Sequence, residues 1–338
     1  MVVQENFSLK AFNTFGIEVH ARYYTSFSNL SELLIILKND RFNGMPKLIL
    51  GGGSNILFTQ DFEGLVLHNN IKGIEITLQN SDDAYITAGA GVLWHDLVLF
   101  AIDHQLSGLE NLSLIPGTVG ASPMQNIGAY GAEVKDTFHS LQALQISTLT
   151  EHIFYHKDCE FGYRESVFKK SLKGQYIILT VTFKLSLSPN LNTSYGAIQE
   201  TLKEMNVTQP TIKNVSEAVC SIRRSKLPNP AEIGNAGSFF KNPEITELYF
   251  TKLKESFPLL PHYPTTAGSV KVPAGWLIEH CGWKGKTFET YGVHKNQALV
   301  LVNYGNAAGK DIQNLSEEIK KSILEKFGIA LETEVNII

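Results

Sequence analysis

Apolar residues recur at helical spacing over 94–105, where Leu97, Val98, Ala101 and Ile102 share one face and the run stops near Gly108. The segment from Asp311 repeats the pattern with Ile312, Leu315, Ile319, Ile323 and Phe327. It closes at Gly328, a residue suited to the left-handed turn that ends helices. Asn29-Leu30-Ser31-Glu32 has capping-box form ahead of the apolar run 33–37, and that helix should end before Asn43-Gly44. Asn214-x-x-Glu217 predicts another helix start, carrying Arg223, Arg224 and Lys226 toward Pro228. Asn242-Pro243 predicts a further one, with proline at the first helical position.

Between these helices the period shortens to that of strands. A strand over 47–50 runs straight into Gly51-Gly52-Gly53-Ser54-Asn55, and Ile56-Leu57-Phe58 follows as a second. Residues 65–91 read as successive strands separated by Asn-Asn, Lys-Gly and Ser-Asp-Asp turns. Further strands are predicted over 141–146, 176–185, 297–303 and the terminal LETEVNII. No internal repeat is visible, and the class is α+β. One stretch obeys neither period: PGTVGASPMQNIGAYG at 116–131 is a long run of small residues, which inside a compact domain is unusual and often functional.

Composition narrows the classes. With 338 residues, 43% hydrophobic and 18% charged, the chain should fold into two or three units with a large core. A formal net charge of −4 argues against a broad nucleic-acid surface. The first residues lack a basic region followed by an apolar core, and no apolar stretch reaches bilayer length, so the expected location is the cytoplasm. Cys159, Cys220 and Cys281 lie far apart without C-x-x-C spacing, and the ten histidines form no H-E-x-x-H pair. No metal site is expected.

Two phosphate-binding signatures fail. Gly285-Lys286-Thr287 would end a Walker loop, but its first glycine position holds His280. Gly51 and Gly53 would open a Rossmann fingerprint, but Ile56 replaces the third glycine and a strand follows. What remains is three small-residue segments, 51–55, 89–91 and 116–131, whose backbone amides can approach a pyrophosphate closely.

Taken with GGGSN and PGTVGASPMQNIGAYG, the motifs FGYRES at 161–166, TSYG around Tyr195, KLPNP at 226–230, GNAGSFFKNP at 234–243 and LETEV resemble the UDP-N-acetylenolpyruvoylglucosamine reductase family, in the form with an extra tyrosine-bearing loop. The resemblance spans nearly the whole chain in order. It implies a two-part FAD-binding fold of the vanillyl-alcohol-oxidase type, over 1–70 with the terminal strand 331–338 and over 71–222. A C-terminal α+β substrate-binding domain over 223–330 completes it. It also implies non-covalent FAD, NADPH as electron donor, and reduction of the enolpyruvyl group of a UDP-sugar in peptidoglycan precursor synthesis; no partner protein is implied, and no nucleic-acid or membrane partner is expected.

Carried over by motif position, the resemblance makes Arg164, Ser238 and Glu334 catalytic. Tyr195, Lys226 and Asn242 become substrate contacts and Arg223 a flavin-proximal cation. Gly51, Gly52, Gly53, Ser54, Asn55, Gly117, Gly120, Ser122, Gly128, Tyr130 and Gly131 become flavin-binding positions. The terminal motif has Thr333 where the family often has proline. On the residues alone two other readings stay open: an FAD-dependent sugar or hydroxy-acid oxidase of the same cofactor fold, and a catalytically silent nucleotide-sugar binding protein.

Overall fold

A computed structural model of the chain describes residues 2–265 and 268–338. The chain divides into two compact units. The first comprises residues through Phe7, Ala21–Gly52 and Glu63–Ser225; the second comprises Ser8–His20, Gly53–Phe62 and Lys226–Ile338.

The first unit is built on two sheets. Its four-stranded sheet runs Gln4–Ser8, His20–Phe27, Phe62–Asn69, Lys47–Leu50, the last two paired in parallel with Lys47 opposite Leu65 and Leu50 opposite His68. The helix Leu30–Leu37 buries Leu33 and Ile36 among Tyr23, Phe27, Phe42, Leu65 and Leu67. Its cap is close to expectation: Asn29 accepts the Glu32 N–H at 3.0 Å, while the Glu32 carboxylate takes the N–H of Ser28, one residue earlier than a strict capping box.

The second sheet of this unit is antiparallel, in the order Glu151–Tyr155, Phe138–Gln145, Tyr176–Ser186, Asp83–Gly89, Ile74–Gln79. Its buried face meets the helix Trp94–Asp103, whose Trp94 stacks edge-on with Phe183 and donates its indole N–H to the Leu112 carbonyl at 2.8 Å. A separate apolar cluster joins the helices Gly196–Glu204 and Ile212–Lys226 through Ile198, Leu202, Val215, Val219 and Ile222.

The second unit holds a four-stranded sheet in the order Gly234–Ser238, Val300–Asn303, Tyr291–Val293, Thr287–Phe288. A three-stranded one runs Glu244–Thr246, Ser269–Lys271, Tyr263–Pro264. The helix Gly309–Phe327 buries Ile312, Leu315, Ile319, Ile323 and Phe327 and stops at Gly328, φ 63, as its pattern predicts. Among the described residues no helix is long and apolar enough to cross a membrane.

Three expectations need correction. No helix starts at Asn242-Pro243, because the Pro243 carbonyl accepts the Val272 N–H and the chain continues as the strand Glu244–Thr246. The helix begins at Glu247, capped by the Thr246 hydroxyl. The helix assigned a start at Asn214 opens at Ile212, since Thr211 and Asn214 exchange capping bonds one turn earlier. The terminal strand is only Asn336–Ile337, paired in parallel with Ile56–Leu57, and the residues before it bond instead to 239–241.

Candidate active site

Two loops of the first unit meet at their glycines. The strand Lys47–Leu50 delivers Gly51-Gly52, and a Cβ on Gly52 would lie 3.1 Å from the Gly117 Cα. A side chain at Gly52 would need the facing backbone to give by a few tenths of an ångström, and Gly117 itself stands at φ 113, which favours glycine. The 116–131 loop is pinned through the Gly117 carbonyl to Trp94 N and through Val119 N and Gly120 N to the Val92 and Ala90 carbonyls. Ser122 is buried and donates its hydroxyl to the Val119 carbonyl at 2.8 Å, which closes the short turn Val119–Ala121. Gly89, Ala90 and Gly91 differ from the other segments. Their N–H groups donate to the carbonyls of Gly73, Leu179 and Ile71, so this third small-residue segment is a sheet-end turn with its amides already used.

Further along the loop a second constellation fixes Arg164. It occupies a two-residue turn closed by reciprocal Gly162–Glu165 backbone bonds and stands at φ 55, left-handed for a non-glycine. Its guanidinium donates to the Gly128 carbonyl at 2.6 Å, and a Cβ on Gly128 would fall 2.9 Å from Arg164 Nη1. Beneath lies Asn126, fully buried at φ 44. Its amide donates to the Gly162 carbonyl and to Glu133 Oε2, each at 3.0 Å, and its carbonyl accepts Lys135 N–H at 3.0 Å.

Tyr130, Arg223 and Tyr195 form the third group. The Tyr130 and Tyr195 rings meet edge-on at 5.3 Å, and Tyr130 shares a hydrogen bond with Arg223. Arg223 Nε also donates to the Leu114 carbonyl at 3.1 Å. Burial pushes the Arg223 guanidinium below the usual arginine range and the Tyr130 phenol above its own, with the Arg223 charge opposing the latter. Among the described residues Arg223 has no carboxylate partner. By accessibility Arg223 is half-buried, so its charge, met by a carbonyl and a phenol, stays open to an anion. Asn111, also buried, ties this corner together by donating to the carbonyls of Tyr130 and Asn192, each at 2.9 Å, while Asn192 donates to the Gly131 carbonyl. Tyr195 itself precedes the helix Gly196–Glu204 and is exposed.

In the second unit Ser238 ends the strand Gly234–Ser238, opposite Val300, after a register break. Gly237 at φ 71 provides the bulge, and buried Asn235 holds it by accepting the Gly237 N–H at 2.9 Å. Glu334 lies alongside, because its N–H donates to the Phe239 carbonyl at 2.8 Å and Phe240 pairs with Thr333. The Asn55 amide donates to the Glu334 carbonyl at 3.3 Å, and Gly53, φ 60, accepts Thr14 N–H at 3.1 Å. Asn242 accepts the Ala274 N–H and caps the helix Ala274–His280, which leaves its amide hydrogens for other partners. Lys226 is exposed at the end of the helix Ile212–Lys226.

Sequence reasoning missed Asn111, Asn126 and Asn235. Each is a buried amide that crosslinks loops, and only a long loop with more backbone groups than local partners could have hinted at them. Among the described residues no cluster of three or more His, Cys, Asp or Glu could hold a metal ion.

The closely apposed glycines 52 and 117 and the half-buried Arg223 cation, which has no carboxylate partner among the described residues, fit a flavin dinucleotide, whose pyrophosphate and reduced ring both carry negative charge. Residues 22–153 match an FAD binding domain, and together with full-length relatives that are reductases this makes the chain an FAD-dependent oxidoreductase. Residues 229–338 match the UDP-N-acetylenolpyruvoylglucosamine reductase C-terminal domain. Curated relatives of that name from Flavobacterium johnsoniae and Amoebophilus asiaticus are each 51% identical over 100% of both chains. The crystal structure of UDP-N-acetylenolpyruvylglucosamine reductase from Thermus caldophilus superposes with a TM-score of 0.70 at 24% identity, covering 100% of this chain and 99% of its own, a likeness of fold. The chain belongs to the UDP-N-acetylenolpyruvoylglucosamine reductase family.

Proposed function

We propose that this protein reduces the enolpyruvyl group of UDP-N-acetylglucosamine enolpyruvate to the lactyl ether of UDP-N-acetylmuramate, with NADPH as electron donor, as a cytoplasmic enzyme of peptidoglycan precursor synthesis. Its family membership over the full chain supports the reaction. Gly51, Gly52 and Gly117 would hold the pyrophosphate of non-covalent FAD, with Gly53, Ser54, Asn55, Gly120, Ser122, Gly128, Tyr130 and Gly131 shaping the surrounding loops. Arg223 would supply a cation beside the flavin. Once reduced by NADPH, bound FAD supplies the hydride.

Hydride reaches the terminal methylene of the enol ether, and the π pair moves onto the carbon that bears the carboxylate. Arg164 answers that charge with a planar fork matched to a carboxylate, held in place by Gly128 and Asn126. Glu334, in its protonated form, donates a hydrogen bond to the same group. Ser238 delivers the proton to the carbanion and regains one from solvent. Tyr195, Lys226 and Asn242 hold the sugar nucleotide, Asn242 through its amide hydrogens.

The observation that carries the assignment of roles is the 2.8 Å bond from Glu334 N–H to the Phe239 carbonyl. It sets the proposed acid beside the strand that ends in the proposed proton donor. Anaerobic titration tests the reading. NADPH should bleach the yellow protein, and the enolpyruvyl sugar nucleotide, not dioxygen or a sugar alcohol, should restore the colour fastest. Acid precipitation should release intact FAD into the supernatant. Bleaching by a sugar alcohol would favour an oxidase, and a colourless protein with nucleotide affinity would favour the silent binder.

A further inference from the structure

His95 lies in the first turn of the helix Trp94–Asp103, and nothing in the chemistry above uses it. Its Nδ1 accepts the Leu114 N–H at 3.0 Å. Leu114 stands at φ 57, a left-handed backbone that a leucine adopts only when its surroundings impose it. On the other side of the same residue the Leu114 carbonyl accepts Arg223 Nε at 3.1 Å. An imidazole and a guanidinium thus clamp one strained residue between them. We infer that His95 is a positioning residue whose neutral ring fixes Leu114 and, through its carbonyl, aims the Arg223 guanidinium. The inference rests on the flavin-facing reading of Arg223.

The clamp works in one protonation state. Nδ1 accepts only with its lone pair exposed, so His95 must be neutral; a proton there would oppose two N–H groups and release Leu114. The surroundings favour the neutral ring. Burial lowers the His95 pKa, Asp96 on its own helix opposes this, and Arg224 and Arg223 on the facing helix add to the lowering. Above the usual histidine range the clamp is complete. As the pH falls through the lowered folded value His95 protonates, Leu114 is released and Arg223 loses its aim.

The experiment measures FAD affinity of the apoprotein by quenching of flavin fluorescence, between about pH 5 and 8. Wild-type affinity should fall on the acid side. His95→Leu, which removes the acceptor, should weaken FAD binding at least about tenfold at neutral pH, the loss expected for one bond supporting a charged group. His95→Asn places an amide oxygen near the Nδ1 position and does not titrate, so it should bind near the wild-type level at neutral pH with the acid-side fall reduced. An unchanged acid-side fall in His95→Asn would overturn the inference, as would His95→Leu binding within about twofold of wild type. Should His95→Leu fail to fold by circular dichroism, the His95→Asn profile decides alone. Arg223→Ala separates the two claims. Unchanged FAD affinity there would sink the flavin-facing reading itself, whereas weakened binding beside an unaffected His95→Leu would sink only the positioning role.

Discussion

Replacing Asn126 with alanine should cripple the second half-reaction while sparing the first. The side chain is fully buried and makes three hydrogen bonds. Two of its partners keep others: the Gly162 carbonyl retains Glu165 N–H at 3.3 Å and Glu133 retains Lys135 Nζ at 2.7 Å. Lys135 N–H is left without its acceptor, at a cost of about 1–3 kcal/mol, and each of the two other bonds contributes roughly 0.5–1.5 kcal/mol. The left-handed backbone at φ 44 adds about 1 kcal/mol for alanine, since asparagine tolerates it better. The total is about 3–7 kcal/mol, a fall of roughly 4–10 °C in melting temperature for a chain of this length. Because Gly162 closes the turn that bears Arg164, the guanidinium loses its register. A displacement of about 1 Å is worth on the order of 10²-fold in rate. Stopped-flow absorbance should show flavin bleaching by NADPH within a few-fold of wild type and reoxidation by the enolpyruvyl substrate about 10²-fold slower. Asn126→Asp keeps the acceptor but loses both donor bonds and sets a carboxylate against Glu133, so it should be no milder. A lowered melting temperature with unchanged reoxidation would refute the link to Arg164.

Other perturbations test separate parts of the account. Gly52→Ala puts a methyl 3.1 Å from the Gly117 Cα, so FAD affinity should drop at least about tenfold without loss of fold, measured by flavin fluorescence. Tyr195→Phe keeps the ring contact with Tyr130 and loses only the hydroxyl, and Lys226→Ala removes a charge. Each should raise KM for the sugar nucleotide about tenfold while leaving KM for NADPH unchanged, in steady-state assays. The Cys159 thiol, pushed up to about 12 by burial and by the Asp158 charge, should resist alkylation at about pH 8 in the native protein and react once the chain is unfolded, as read by mass spectrometry.

Much of the scaffold was legible because its signals are local. The strand Lys47–Leu50 and the face of the helix Gly309–Phe327 follow from period alone, and the aperiodic 116–131 segment identified itself as a loop. Boundaries failed where a cap competed with another bond. Asn242 caps a helix 32 residues away rather than opening its own, and no local rule reveals that. The strand His20–Phe27 escaped notice because three consecutive buried residues, Tyr23, Tyr24 and Thr25, break the alternation. The proposed site residues came from motif resemblance, whereas their supports did not. Asn126 reaches Gly162 36 residues on, and Asn111 reaches Asn192 across 81. Such bonds satisfy backbone groups that folding buries, so they become visible only once the loops are placed.

The measurement that bears most directly on the proposed chemistry separates the half-reactions in Ser238→Ala. The bulge at Gly237 is a backbone feature and its lock is the Asn235 side-chain oxygen, neither of which uses the Ser238 hydroxyl, so alanine leaves the strand end as it is. Reduction of the flavin by NADPH requires no proton on carbon and should run at close to the wild-type rate. Completion of enolpyruvyl reduction requires one, and loss of a general acid is typically worth about 10²–10⁴-fold, so reoxidation by the substrate should slow by that factor. Equal slowing of both half-reactions would mark Ser238 as a turn residue, and slowing of neither would place the proton donor elsewhere; either result contradicts the mechanism.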